Sequence, residues 1–237
     1  MGLPLLNSAP KYEVKIPSSG ELIKYRPFLV KEQKVLLLAY ESQDKRQIIN
    51  AMLDCVKQCV VSDNVDIYKL GTFDVDYLFT QIRAKSVGES VDLNIQCQEC
   101  STENEIKVNL EDIQLNVTKE EEIIKLTDDI SVKMSYPTYA RYVESGAVFE
   151  AQTSTDLIME IIISCIDSIM TEEENINARD EPREDILAFI ESMTTEQFGK
   201  ISAFIEDMPM MTKDIEFKCI SCNHENKHTL RGIDDFF

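Results

Sequence analysis

The spacing of apolar residues changes several times along the chain, and each change marks a new element. Tyr12 to Ile16 alternates apolar and polar positions and predicts a strand. Pro17-Ser18-Ser19-Gly20 reads as a turn, with Leu22 to Arg26 returning as a hairpin partner that Pro27 stops. The period then lengthens. Lys31 to Tyr40 predicts a helix with Val35, Leu36 and Leu38 buried, and Asp44 can cap a second helix. The apolar stripe of that second helix is Ile48, Met52, Cys55, Val56 and Cys59. Phe73 to Lys85 predicts a third helix, closed by Gly88. From Val91 the period falls to two. Val91, Leu93 and Ile95 lead into Cys97, and Ile106, Val108 and Leu110 lead away from Cys100. Ile123 to Leu126 and Ile130 to Met134 flank Thr127-Asp128-Asp129 as a further hairpin, and Pro137 closes this β region. Helical spacing returns over Asp156 to Met170, Arg183 to Met193 and Glu196 to Met208. Pro182 suits the first turn of the second of these, and Thr194 with Gln197 forms a capping box for the third. Ile215 and Phe217 make a last strand that runs into Cys219.

The chain has 237 residues, 43% of them hydrophobic, enough for one large domain or two small ones. Its formal charge of −19 argues against nucleic acid and anionic membrane as partners, because both would need a basic patch. The basic residues Lys31, Lys34, Lys45 and Arg46 read as a solvated helix face. The apolar run at Ile161-Ile162-Ile163 is too short to span a bilayer. Met1-Gly2-Leu3-Pro4 opens like an acylation signal, but Leu6 stands where Ser or Thr is required. With no secretory signal visible, the expectation is a cytosolic protein. In a reducing compartment, Cys-x-x-Cys pairs point to metal more than to disulfides.

Two such pairs sit inside a longer repeat. DLNIQCQECSTENEIKV begins at Asp92 and DIEFKCISCNHENKHTL at Asp214. Both run Asp, apolar, polar, apolar, polar, Cys-x-x-Cys, two residues, Glu-Asn, then a strand. The shared pattern predicts one local shape made twice: strand, tight knuckle, strand. Two facing knuckles offer four thiolates, Cys97, Cys100, Cys219 and Cys222, the tetrahedral set that structural zinc prefers. Such a site, with one Zn2+ per chain, would clip together segments separated by half the chain, where loop closure matters most. The competing readings are four reduced thiols in two turns, or one disulfide within each pair. His224 and His228 are expected to be bystanders, since Thr102 and Ile106 hold the matching positions of the first repeat. Four protein ligands leave no open position for a reacting water, so catalytic zinc is not expected.

Other clusters suggest less. Cys55 and Cys59 lie four apart on an apolar helix face and read as packing, as does Cys165. Glu120-Glu121-Glu122 and Glu172-Glu173-Glu174 read as solvated runs. No phosphate-binding glycine loop, Gly-x-Ser-x-Gly or His-Glu-x-x-His is present, and the two histidines both belong to the second repeat, so no enzyme is expected.

Three stretches carry a family resemblance: IPSSGELIKYRPFLVKEQKVLL from Ile16, FDVDYLFTQIRAKSVGESV from Phe73 with the Cys-x-x-Cys after it, and LPLLNSAPKYEVKIP from Leu3. Together they resemble the baseplate hub assembly proteins of T-even-type contractile-tailed phages. The match is strongest over the first 100 residues, and the second Cys-x-x-Cys supports it. The resemblance implies a virus-encoded protein of the infected host cell cytoplasm. Such a protein helps to build the central hub of the tail baseplate, with other baseplate hub or tail proteins as partners. On that reading Arg26, Pro27, Phe28 and Arg83 are candidates for a contact surface; the alternative is that they maintain the fold. A different functional class, a zinc-ribbon regulator of a transcription or replication complex, is the second reading.

The expected fold is α+β, with helical amino-terminal and middle regions around a zinc-ribbon-like β unit. Its segments are an amino-terminal hairpin and helices over 1–90 and the first knuckle with β hairpins over 91–136. A helical insertion over 137–210 follows, then the second knuckle and tail over 211–237.

Overall fold

The computed structural model describes residues 9–63, 65–113, 115, 117, 121–233 and 235–236. The amino-terminal residues on which the acylation reading and part of the family resemblance fall, and Glu120 of the first acidic run, lie outside them. In chain order the described elements begin with β1 (Tyr12–Lys15), β2 (Leu22–Tyr25), α1 (Val30–Ser42), α2 (Lys45–Cys59) and α3 (Thr72–Ser86). There follow β3 (Ser90–Gln96), β4 (Glu103–Asn109), β5 (Glu121–Lys125) and β6 (Ser131–Ser135). Next come α4 (Tyr139–Ser145), α5 (Ala147–Glu150), α6 (Ser154–Cys165), β7 (Ile166–Met170) and β8 (Asn175–Asn177). The last are α7 (Arg183–Glu191), α8 (Thr195–Glu206), β9 (Thr212–Lys218) and β10 (Glu225–Arg231). The chain is mixed α+β and divides into two compact units, one over Met1–Ile67, Phe73–Asn116 and Met210–Phe237, the other over Tyr68–Thr72 and Val117–Pro209.

In the first unit, β1 and β2 pair antiparallel from Tyr12↔Tyr25 to Lys15↔Leu22. Gly20 takes a positive φ in the turn between them, which a side chain would strain. The turn is tied to α3, because the Ser18 amide and hydroxyl donate to the buried Asp74 carboxylate at 3.0 and 2.6 Å. Helix α2 is capped by Asp44, whose side chain accepts from the Arg46 and Gln47 amides. Helix α1 departs from the sequence-based expectation. Leu36 is buried, but Val35 and Leu38 are 50% and 55% exposed. The inward positions are instead Glu32, Leu36 and Ala39. Glu32 is drawn inward because its carboxylate accepts from the Leu29 amide at 2.8 Å and from Arg26 at 2.9 Å. A satisfied carboxylate can be buried, and it turns the helix so that aliphatic side chains face out.

The same unit contains two further hairpins. β3 pairs with β4 from Ser90↔Asn109 to Gln96↔Glu103, and β9 pairs with β10 from Thr212↔Arg231 to Lys218↔Glu225. They share a core of Ile95, Val108, Leu110, Ile215, Leu230 and neighbours, which includes the fully buried Phe236.

The second unit is built on an antiparallel sheet in the order β5-β6-β7-β8. Val132, Met134, Ile162, Ile166 and Ile201 are almost fully buried there, and Tyr136 stacks on Phe204 at 4.9 Å between centroids. Thr153 with Asp156 and Thr194 with Gln197 cap α6 and α8 reciprocally. The expected helix over Asp156 to Met170 ends instead at Cys165, and Ile166–Met170 is the strand β7. Met134↔Ile166 and Val132↔Ile169 pair it with β6, so sheet formation overrides a run that also satisfies helical spacing. Asp167 on β7 pairs with Arg141 at 3.1 Å and Arg179 at 2.9 Å.

Candidate metal centre

Cys97 and Cys219 end their incoming strands and are buried, whereas Cys100 and Cys222 lie in the turns and are exposed. The four sulfurs all lie within 4.8 Å of one another. Across the two hairpins, Cys97 Sγ is 3.7 Å from Cys222 Sγ and Cys100 Sγ is 3.6 Å from Cys219 Sγ. A tetrahedral ion with bonds of about 2.3 Å to sulfur would place its ligands roughly 3.8 Å apart, so the spacing fits that donor set.

The local backbone explains why each sequence makes this shape. In the first knuckle the Cys97 amide donates to Thr102 O at 2.9 Å and the Ser101 amide to Cys97 O at 2.9 Å. In the second, Cys219 donates to His224 O at 2.9 Å and Asn223 to Cys219 O at 3.1 Å. Ser101 and Asn223 occupy matching positions with φ of 55° and 60°. The turn thus spends a left-handed residue just after its second cysteine in both copies.

The knuckles also favour thiolate. The backbone N–H of Cys222, with that of Ser221, holds the Cys219 thiol down at about 6 against the effect of burial. Burial raises Cys97, but the amides of Cys100 and Glu99 outweigh it and leave the thiol below its ordinary value. Cys222 moves the other way. Its His224 amide contact favours the thiolate, yet the neighbouring thiols, Cys100 first, push it up to about 12. Thiolates this close repel one another unless a cation neutralises them.

The two halves are joined by a pair of asparagines. Asn104 Oδ1 accepts from the Ile220 amide at 2.9 Å, and Asn226 Oδ1 accepts from the Gln98 amide at 2.9 Å. Their own amide groups donate back within their knuckles, Asn104 to Thr102 O at 2.7 Å and Asn226 to His224 O at 3.1 Å. These are the asparagines of the recurring Glu-Asn.

A family model described as "T4 bacteriophage base plate protein" matches residues 9–237. The chain belongs to this family. No curated protein and no solved structure matches it. The match runs through both units of the baseplate protein and includes all four clustered cysteines. Among its described residues no helix is long and apolar enough to cross a membrane.

The remaining residues singled out in the sequence lie elsewhere. His224 and His228 are exposed and do not belong to the cysteine cluster. Cys165 is buried in the second unit, and burial pushes its thiol up to about 12, which suits packing. Cys55 and Cys59 face the core of the first unit. Arg26 donates to Pro27 O and Glu32, both at 2.9 Å, and reaches Cys59 Sγ at 3.8 Å. The Phe28 amide donates to Ser86 Oγ at 2.9 Å. The half-buried Phe28 and Arg83 line one groove of about 360 Å³ together with Leu37, Tyr40, Phe79 and Val87. The role of Asn104 and Asn226 escaped sequence reasoning. The signal for it was present, since the repeat continues beyond the cysteines to that residue.

Proposed function

We propose that this baseplate protein takes part in assembling the central hub of the phage tail baseplate, without catalysis and through contacts with other hub or tail proteins. The observation that carries this is the family match along residues 9–237. The cysteine cluster then serves as a structural Zn2+ site, one ion per chain, held by Cys97, Cys100, Cys219 and Cys222 in a split zinc ribbon. Sulfur spacing of 3.6–3.7 Å and an all-thiol donor set support zinc over harder cations. The ion's part is to neutralise the thiolates and fix the two hairpins. The groove lined by Phe28 and Arg83 is the contact surface of this reading, with Arg26 and Pro27 behind it holding the start of α1. Leu37, Tyr40 and Val87 are 56%, 45% and 59% exposed beside it, an apolar ridge that invites cover. The charge of −19 favours a partner that brings basic residues around its apolar anchor. On this reading the protein works in the host cell cytoplasm.

Tagged protein captured from infected cells tests this. Co-recovery of hub and tail components is the expected result, and Leu37→Asp should abolish it while the purified variant still melts like the parent. Recovery of polymerase subunits alone would replace the assembly role with that of a regulator. Metal analysis of the purified protein should return one zinc per chain.

A further inference from the structure

The geometry points to Asn104 and Asn226 as reciprocal positioning residues of the metal centre, each setting the height of the opposite pair of sulfurs. This rests on the zinc reading of the cysteine cluster. Three observations carry it. First, each knuckle closes its own turn through backbone bonds, Cys97 to Thr102 and Cys219 to His224, so neither asparagine is needed to form the turn that precedes it. Second, both side chains are 1% exposed, and their oxygens reach across to the other hairpin. Third, the amides they hold belong to Gln98 and Ile220, the residues that directly follow the first cysteine of each pair. Both residues are exposed, Ile220 at 78%, so burial of their side chains does not anchor them.

The consequence is a fixed offset between the two pairs of ligands. A backbone N–H between two cysteines moves with both sulfurs. Holding it to the facing hairpin holds Cys97 and Cys100 against Cys219 and Cys222 at ligand spacing. Gln98 Nε2 adds a bond to Lys227 O at 3.0 Å on one side only. The carboxamide is suited to this place because it accepts across the gap and donates within its own knuckle. A carboxylate would lose the donor and add negative charge beside the thiolates.

The test uses full-length zinc-loaded protein with Asn104→Ala, Asn226→Ala and, as control, Thr229→Ala. The control removes a side-chain bond to Asp214 in the same hairpin as the second knuckle. Zinc transfer to a chromophoric chelator should accelerate about tenfold or more in each asparagine variant and remain unchanged in the control. Amide hydrogen exchange adds a crossed signature: Asn104→Ala should expose the Ile220 amide and Asn226→Ala the Gln98 amide. If the variants melt earlier but release zinc at the parental rate, the asparagines support the fold alone and the positioning role is overturned. Should the variants fail to fold, the parent protein still decides, because fast exchange of its Gln98 and Ile220 amides overturns the proposal. A parent that takes up no zinc removes the metal reading itself, a result distinct from zinc held and released normally.

Discussion

The paired hairpins of the first unit and the four-stranded sheet of the second stay folded by different means. In the second unit, Val132 and Ile166 of the sheet and Ile162 and Ile201 of α6 and α8 are almost fully buried, and apolar burial of about 25 cal/mol per Å² does the stabilising. The hairpins have two strands each, a size that is marginal alone in water. They share a small core and bring four thiols and two buried amides to one end. One body relies on packing, while the other adds to its core polar groups bonded across the two hairpins. The first should tolerate changes of shape that keep volume, and the second should not tolerate the loss of any one of the four clustered cysteines.

Breaking the comparison from the hairpin side should give the largest effect. Cys219→Ser, or zinc removal by a chelator, opens a clip across half the chain, and stability should fall by on the order of 5 kcal/mol. Calorimetry checks this, and an unchanged melting temperature would refute it. From the packing side, Ile162→Ala should cost about 2–5 kcal/mol in denaturant unfolding through the cavity it leaves. The absorption spectrum of the cobalt-substituted protein should stay as in the parent, which separates the two modes of stabilisation.

A smaller effect is expected at the Arg26–Glu32 clasp. Burial works to raise the Glu32 pKa, but bonds from Arg26 and the Leu29 amide win and leave it below its ordinary value. A carboxylate depressed on folding adds stability above its unfolded pKa of about 4.3 and loses it as the pH falls through the lower folded value. Glu32→Gln should therefore be less stable at pH 7 by about 1–3 kcal/mol, with the gap to the parent closing in acid. A gap independent of pH between 7 and 3 would count against the clasp. The smallest effect belongs to Lys227 and Glu216, 2.7 Å apart on the outer face of the β9–β10 hairpin and both well exposed. Lys227→Ala should change stability by about 0.5 kcal/mol or less in urea.

Much of this was legible in the chain. The knuckles announced themselves because a tight turn between two cysteines needs particular residues at each position, and the sequence states that pattern twice. The caps Asp44 and Thr194 with Gln197 were readable for the same reason: a local bond within three residues needs no knowledge of the rest of the fold. What failed was long-range. Ile166 to Met170 continues a helical stripe on paper, and only its pairing with β6 makes it a strand. Val35 and Leu38 look like core until the Arg26 bond to Glu32 turns α1 over. The asparagine bonds cross between segments more than a hundred residues apart, so the recurrence of Glu-Asn was visible while its purpose was not.

The distance between the two knuckles also has a meaning in time. A ribosome adds about 5–20 residues per second, so the first pair of cysteines waits on the order of ten seconds for the second. During that interval the β3–β4 hairpin carries two thiols and an asparagine with nothing to grip. A chain terminated before Cys219 carries only two of the four clustered cysteines. Only chains translated through the second knuckle can bring all four cysteines together.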